Sequence, residues 1–348
     1  MKLGILTASR TNNFGTDLQA YAMQKLFGKY CNAEIIDYVC PKLERSHRLI
    51  KRLSFVDIVY LPWKIHKNIN HYLFRNKNFR KSKKYTTENI NTIDYDAVVV
   101  GSDQIWNLDI TGNDLNFFLP FDGIKKYSYA ASIGKTDITD WQKKYNLKKY
   151  LDDFSKVSVR EDSGIDALRG INVDAQHNLD PLLMLDKSEW EKLAIYKIPP
   201  KYVFVYLIQG NDMAMEYARN YAQKKNLKLV VFSTPGRPKK NIKKCVYCNV
   251  QRWISYMKNA DMIITNSYHG LSMAVVLEKN FRIFGIENTV QNNSRMESLL
   301  RDLSLETYMY TDKVVDNGEC PKWECVRAVL KPLRDNSLEY IKKIAEIK

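Results

Sequence analysis

The sequence predicts an α/β protein made of two Rossmann-like, doubly wound parallel-sheet domains that face a cleft. Apolar runs of strand length alternate with helical patterns in both halves of the chain. The run at 95–102 is almost continuously apolar, as buried parallel strands are. The stretch "YKIPPKY" at 196–202 separates the halves, because its two prolines continue neither a helix nor a central strand. A length of 348 residues suits two such domains.

The first domain is predicted to span residues 1–195. Its strands are expected at 3–8, 33–38, 95–102, 126–134 and 156–161, and its helices at 16–30 and 140–154. Thr16 and Gln19 have the spacing of a capping box, which predicts that the first helix begins there. A basic helical insertion is expected at about 42–85.

The second Rossmann-like domain is predicted at 196–312. Its strands are expected at 202–208, 228–234, 261–267 and 281–287, and its helices at 211–226, 250–260, 269–280 and 294–304. The remaining residues, 313–348, are predicted to form a helical tail that packs back on the first domain.

The net charge of +15 is concentrated in one segment. Residues 42–84 hold 13 Lys and Arg against two acids, which gives +11 and leaves +4 for the rest of the chain. Six aromatic side chains share this segment. One interpretation is a solvated helical hairpin whose aromatics face the core. The other is contact with an anionic surface, for which we favour a membrane or a lipid-linked substrate over nucleic acid.

Six cysteines are scattered along the chain. The pairs Cys245–Cys248 and Cys320–Cys325 have spacings that a zinc site tolerates, but no Gly-rich knuckle surrounds them. We therefore expect ordinary reduced thiols and no metal. The N-terminal "MKLGILTASR" reads as a strand and not as an export signal, so a cytoplasmic location is expected, with peripheral contact at the inner face of the membrane.

Polar residues at the ends of strands are the candidates for chemistry, because open α/β sheets bind ligands beyond the carboxyl ends of their strands. Asn12 and Asn13 follow the first strand and serve either turn formation or substrate binding. Asp103 and Gln104 follow the strand at 95–102, where Asp103 is either a helix cap or a group that contacts sugar hydroxyls. Trp106 is either a stacking surface or a core side chain.

Two further strand ends carry an arginine and a histidine. Arg160 ends the strand at 156–161; it binds an anion or pairs with Glu161 or Asp162. His269 opens a helix directly after a strand, beside Asn266, Ser267 and Gly270, which favours a catalytic imidazole over a structural one.

Another arginine, Arg295, is predicted in the first turn of a helix, where it either completes an anion clamp or lies on the surface. The chain has no Gly-rich dinucleotide fingerprint, no Walker lysine loop, no Gly-x-Ser-x-Gly elbow and no His-Glu-x-x-His motif. These absences argue against a dehydrogenase, an NTPase, a serine hydrolase and a zinc protease.

Seven stretches together resemble the polysaccharide pyruvyl transferase family. They occur in the family's order between residues 3 and 305: "GILTASRTNNFGTDLQAYAMQ", "DAVVVGSDQIWN", "YAASIG", "VSVREDSG", "LDPLLML", "ITNSYHG" and "NNSRMESLL". The resemblance implies a fold similar to the GT-B glycosyltransferases. It implies transfer of pyruvate from phosphoenolpyruvate to a sugar diol, giving a cyclic ketal, in bacterial exopolysaccharide or capsule assembly. The acceptor is then a sugar or a lipid-linked saccharide.

The resemblance also implies roles for individual residues. His269 is expected in acid–base catalysis, with Asp103 as a base for a sugar hydroxyl. The second domain is expected to bind the donor. Donor contacts are expected from Arg160, Arg295, Asn266, Ser267 and Gly270, and acceptor contacts from Asn12, Asn13, Gln104 and Trp106. No cofactor is expected beyond phosphoenolpyruvate as co-substrate.

Two alternative functions remain open on the sequence alone. One is a nucleotide-sugar glycosyltransferase of the same fold. The other is a non-enzymatic basic protein that binds membrane or nucleic acid.

Overall fold

The computed structural model describes residues 1–46, 61–233, 245–246, 248–286, 290–310 and 318–346. The chain divides into two compact units, which are described separately here. Unit 1 comprises Met1–Leu61, His71–Met184 and Pro332–Lys348, and unit 2 comprises Pro62–Asn70 and Leu185–Lys331. Unit 2 thus begins ahead of the predicted boundary at 196.

Unit 1 contains a six-stranded parallel sheet in the order β3-β2-β1-β4-β5-β6. The strands are β1 (Lys2–Leu6), β2 (Asn32–Tyr38), β3 (Lys81–Tyr85), β4 (Ala97–Val100), β5 (Lys125–Ser128) and β6 (Phe154–Lys156). A short pair, β7 (Ser158–Val159) and β8 (Gln176–His177), follows. The strand order reverses between β1 and β4, which makes this the topological switch point of the sheet.

The described helices of unit 1 join and flank these strands. They are α1 (Phe14–Phe27), α2 (Pro41–Ser46), α3 (Leu61–Asn78), α4 (Leu108–Thr111), α5 (Thr139–Tyr145), α6 (Leu147–Leu151), α7 (Asp162–Arg169) and α8 (Pro181–Met184). The first residues of α3, Pro62–Asn70, group with unit 2. Every residue of β4 is buried, as its apolar run predicts.

Unit 2 repeats the same winding in a five-stranded parallel sheet of order β11-β10-β9-β12-β13. Its strands are β9 (Tyr202–Leu207), β10 (Lys228–Ser233), β11 (Cys245–Val246), β12 (Met262–Thr265) and β13 (Phe281–Ile283). Its described helices are α9 (Lys187–Leu193), α10 (Asp212–Lys224), α11 (Val250–Asn259), α12 (Tyr268–Val276) and α13 (Val290–Asp302). Its switch point lies between β9 and β12. The two parallel sheets confirm the predicted fold class.

The last described helix, α14 (Trp323–Ala345), contains Pro332, where the chain passes from unit 2 back to unit 1. Within unit 1 its second part makes four long-range hydrogen bonds. Arg334 donates to the carbonyl of Leu183, and Tyr340 donates to the carbonyl of Ser128. Ser337 accepts from the amide of Leu179, and Asn336 accepts from the side chain of Gln176.

Four local predictions differ from the structure. The helix expected at 140–154 is two helices, because Asn146 adopts a left-handed conformation, with φ 50°, that ends α5. The strand expected at 156–161 is divided between β6 and β7. The basic segment includes an edge strand, β3, rather than helix alone, while residues 47–60 lie outside the described part. β11 was not predicted.

The predicted capping box is also wrong. Asn13 caps α1, and its side chain accepts a hydrogen bond from the amide of Gly15. Thr16 and Gln19 therefore lie inside the helix, where their side chains are free to bond to neighbouring strand ends. Both contribute to the candidate site.

Candidate functional site

The switch point of unit 1 is lined by a polar network that joins β1, α1 and β4. Gln19 donates to the hydroxyl of Thr7 over 2.8 Å and accepts from the amide of Ser102 over 3.2 Å. Thr7 in turn donates to the carbonyl of Ser102 over 3.1 Å. All three side chains are buried. The network therefore fixes where the chain leaves β4.

Asp103 follows this network in a left-handed conformation, with φ 73°. One carboxylate oxygen accepts from the hydroxyl of Thr16 over 3.1 Å, and the other accepts from the amide of Gln104 over 2.9 Å. The predicted alternative of a helix cap is wrong, because α4 is capped by Asn107. Asp103 keeps 17% of its side chain exposed, so it can meet a ligand.

Arg160 lies near Asp103 because isolated backbone β-bridges continue beyond the ends of the main strands. Asp103 bridges Ala131, and Ala131 bridges Val159, which directly precedes Arg160. The guanidinium of Arg160 is 0% exposed. Its Nη2 lies 3.5 Å from a carboxylate oxygen of Asp103, its Nη1 lies 2.8 Å from Asp180, and its Nε lies 3.4 Å from Glu161. Of the two predicted alternatives for Arg160, pairing with carboxylates describes its surroundings. Its partners include Asp180 and Asp103 as well as the predicted Glu161.

Three of the predicted acceptor residues have structural partners. Asn12 accepts a hydrogen bond from Arg75 over 2.9 Å, and Asn13 is the cap of α1. Trp106 is a core side chain, 1% exposed and stacked on Phe118, so the predicted stacking surface for a sugar is corrected. Gln104 is partly exposed beside Asp103.

The switch point of unit 2 is closed by Asn266, at the end of β12. Its amide oxygen accepts from the backbone of Ile208 over 2.8 Å, and its amide nitrogen donates to the carbonyl of Gln209 over 2.8 Å. Asn266 is 0% exposed, so it connects the ends of β9 and β12 instead of facing solvent. Both hydrogen bonds are structural, and the donor contact of Asn266 stays a prediction.

His269 lies in the first turn of α12, directly beyond this junction, and is 9% exposed. Ser267 caps the helix by accepting from the amide of Gly270 over 3.2 Å. Gly270 is required for close approach, because a Cβ there would lie 2.5 Å from the hydroxyl oxygen of Thr265 on β12. Together these residues hold the imidazole at the carboxyl edge of the sheet, where α/β folds bind ligands.

Arg295 lies in α13 and is 8% exposed. The helix begins at Val290, so the predicted place of Arg295 in the first turn is corrected to the second turn. It belongs to the same unit as His269, while Asp103 and Arg160 belong to unit 1. The predicted site residues thus form two groups, one at each sheet.

Sequence reasoning missed a buried histidine–carboxylate pair on α3. The ring Nδ1 of His71 lies 2.5 Å from a carboxylate oxygen of Asp17, and the two side chains are 1% and 0% exposed. Arg75, one turn later, donates to the carbonyls of Ser9 and Thr11 at the end of β1. The sequence around His71 carries no motif, so it gives no reason to select this residue. The available signal was an acid at position 17, inside a helix that is otherwise buried.

Two units wound in this way, each with polar side chains at its switch point, have an α/β fold of the GT-B type. The family model for polysaccharide pyruvyl transferase matches residues 13–288. The chain therefore belongs to the polysaccharide pyruvyl transferase family, which gives it a pyruvyl transfer role in polysaccharide biosynthesis.

Solved structures support the fold. UDP-GlcNAc 2-epimerase from Neisseria meningitidis, bound to UDP-GlcNAc, is 12% identical, with a TM-score of 0.50 over 100% of this chain and 95% of that chain. S. aureus MnaA, in a co-structure with UDP, is 11% identical, with a TM-score of 0.50 over 98% of this chain and 91% of that chain. A search of curated proteins gave no significant match.

Proposed function

We propose that the protein transfers pyruvate from phosphoenolpyruvate to two hydroxyls of a sugar, which forms a cyclic ketal and releases phosphate. The sugar belongs to a cell-surface polysaccharide or its lipid-linked precursor. The observation that carries the proposal is His269, held at the switch point of unit 2 within a chain whose family transfers pyruvyl groups. The reaction takes place in the cytoplasm and uses no cofactor.

The donor is an anion with a phosphate and a carboxylate. In unit 2, the first turn of α12 offers backbone N–H groups and a partial positive charge, which stabilise such groups. Arg295 supplies a full positive charge in the same unit. We assign donor binding to these two features. Ser267 and Gly270 shape the start of the helix.

The chemistry needs one proton delivered to carbon and two removed from hydroxyls. His269 donates a proton to the methylene carbon of phosphoenolpyruvate, which becomes the methyl group and leaves an oxocarbenium-like centre. A sugar hydroxyl attacks this carbon and loses its proton, and the carbon–phosphate oxygen bond breaks. The second hydroxyl then closes the ring. One of the two hydroxyl protons returns to the imidazole. The other is taken up by the base proposed below and ends on the released phosphate, so the atoms balance.

Asp103 is the proposed base for a hydroxyl, because it is the partly exposed carboxylate of the unit 1 network. Gln104 lies beside it and is the remaining candidate for acceptor contact. Arg160 was predicted as a donor ligand. Its buried guanidinium already lies within 3.5 Å of three carboxylates, so we assign it to the orientation of Asp103 instead.

The decisive experiment follows phosphate release from phosphoenolpyruvate in the presence of candidate acceptors, with the ketal methyl group detected by NMR. The variant His269→Gln is expected to lower kcat by about 10²–10⁴-fold and to leave urea unfolding unchanged. His66→Gln is the matched control, since His66 is exposed on α3. A His269→Gln variant with the wild-type rate would refute the assignment.

Calorimetric titration separates the alternatives. Saturable binding of phosphoenolpyruvate that weakens in Arg295→Gln, but not in the exposed Arg301→Gln on the same helix, supports the donor site. Binding of a UDP-hexose in place of phosphoenolpyruvate would instead point to glycosyl transfer. Activity that survives EDTA supports a reaction without metal.

A further inference from the structure

Helix α3 presents large apolar side chains to solvent. Five of them are between 39% and 57% exposed: Trp63, Ile65, Ile69, Tyr72 and Leu73. Ile65, Ile69, Tyr72 and Leu73 recur at intervals of three and four residues, so they share one face of the helix. Single exposed apolar residues are common, but a continuous row on one helix marks an interaction surface.

The opposite face of α3 carries buried polar side chains beside one buried aromatic. His71 and Phe74 are its buried residues, and His71 pairs with the buried Asp17. Arg75 donates to the carbonyls of Ser9 and Thr11. A surface helix of a globular protein normally does the reverse and turns its apolar stripe to the core. The inner face of α3 therefore combines the His71–Asp17 pair and the hydrogen bonds of Arg75 with the aromatic contacts of Phe74, while a second, apolar face lies on the outside.

The segment that carries this face has charges of one sign only. Residues 61–85, which are α3 and β3 with their connection, contain eight Lys and Arg and no Asp or Glu. Lys77, Arg80, Lys83 and Lys84 are among the exposed residues. An apolar helix face with an aromatic residue, flanked by cations, is complementary to the surface of a membrane that contains anionic lipid. Within the described residues no helix is long and apolar enough to cross a bilayer.

We propose that α3 docks the protein on an anionic membrane surface, with Ile65, Ile69, Tyr72 and Leu73 inserted at the interface and the neighbouring lysines over the lipid headgroups. The inner face of the same helix holds the loop Ser9–Asn12 through Arg75, so the docking helix is bonded directly to the switch point of unit 1. This surface is independent of the pyruvyl transfer chemistry, and its test does not use the reaction.

The test is co-sedimentation of the full chain with vesicles of phosphatidylcholine that contain 30% or no phosphatidylglycerol. Binding to the anionic vesicles is expected to exceed binding to the neutral ones by at least about tenfold and to weaken in high salt. The triple variant I65S/I69S/L73S is expected to lose at least about tenfold of the affinity. The matched control, I110S/I195S/M213S, replaces other exposed apolar side chains and is expected to bind like wild type.

A second readout places the helix at the interface. Tyr72→Trp places a tryptophan on the apolar face, and vesicles with brominated acyl chains are expected to quench the fluorescence of this variant more strongly than that of the wild type. Lys77→Gln, Lys83→Gln and Lys84→Gln are each expected to weaken binding about fivefold. The proposal is overturned if wild-type protein does not co-sediment with anionic vesicles, or if the triple variant still binds them like wild type. Self-association of wild type that only the triple variant loses would assign the face to a second copy of the chain.

Discussion

A single methyl group added at Gly270 is expected to disturb the position of His269. The added Cβ would lie 2.5 Å from the hydroxyl oxygen and 3.1 Å from the methyl carbon of Thr265, whereas side-chain Cβ contacts below 3.0 Å essentially do not occur. Thr265 is 0% exposed, and β12 is paired on both sides. The strand cannot yield, so α12 must move by about half an ångström (3.0 − 2.5) and carry His269 with it.

The cost to stability and the cost to activity are expected to differ. Overpacking lowers the free energy of unfolding by about 1–3 kcal/mol. The higher helix propensity of Ala relative to Gly raises it by about 1 kcal/mol. The net loss for Gly270→Ala is therefore about 0–2 kcal/mol. Catalysis is more sensitive, because a misplacement of 1 Å costs about 100-fold, so a rate loss of about tenfold or more is expected. Urea unfolding and the phosphate-release assay measure the two quantities.

The chain offers an internal suppressor. Thr265→Ala removes the two nearest atoms and leaves the Cβ of Thr265 at 3.2 Å, at the cost of the hydrogen bond from the amide of Ser267. The double variant T265A/G270A is expected to regain most of the rate relative to T265A. Gly170→Ala is the control, since its nearest contact is 3.4 Å away. A Gly270→Ala variant at full rate, or a double variant no faster than Gly270→Ala, would refute the reasoning.

Three further predictions concern other parts of the molecule. Arg160→Met leaves buried carboxylates without their cation and is expected to lower the unfolding free energy by about 3–5 kcal/mol in urea, a loss that a surface arginine would not show. Burial tends to raise the pKa of Glu278, but hydrogen bonds from an arginine and a lysine outweigh it and lower the pKa below its usual 4.5. This stabilisation is present above pH 4.5 and is lost as the pH falls. Glu278→Gln is therefore expected to be less stable by about 0.5–1 kcal/mol at pH 7, and equal unfolding curves at pH 7 would contradict this. In native protein, maleimide is expected to label the exposed Cys320 and Cys325 and to spare Cys40. Burial raises the pKa of the Cys40 thiol to about 12, so the reactive thiolate is scarce. Mass spectrometry that finds Cys40 labelled first would contradict this.

The sequence predicted the architecture because its strongest signals are apolar runs and strand–helix alternation. It did not predict β3, because "KSKKY" lacks the apolar pattern of a strand and belongs to the sheet only by pairing with β2 at its edge. Nor did it predict the break at Asn146, since the pattern on both sides is helical. In each case a tertiary contact or a single backbone conformation decides the structure, and neither leaves a periodic signal.

For the site, the sequence identified the right places but not which side chains are structural. Strand ends are visible in sequence, so Asp103, Arg160, Asn266 and His269 were all selected. Hydrogen-bond partners are not visible, because they come from distant positions. Asn266 bonds to residues 58 and 57 positions away. Arg160 bonds to Asp180, which lies in the stretch "LDPLLML" but was not predicted as a site residue. The structure therefore changes the roles of these residues more than their positions.

The return of α14 to unit 1 has a consequence for how the protein is made. Ser337 and Tyr340 bond to the backbone of residues 179 and 128, so unit 1 is complete only when its last helix has been synthesised. Most of unit 2 is translated before that point and can fold while unit 1 still lacks this helix. On the ribosome the second half of the chain therefore has the opportunity to mature first, and a nascent chain stopped near residue 330 would expose unfinished unit 1 surface to chaperones.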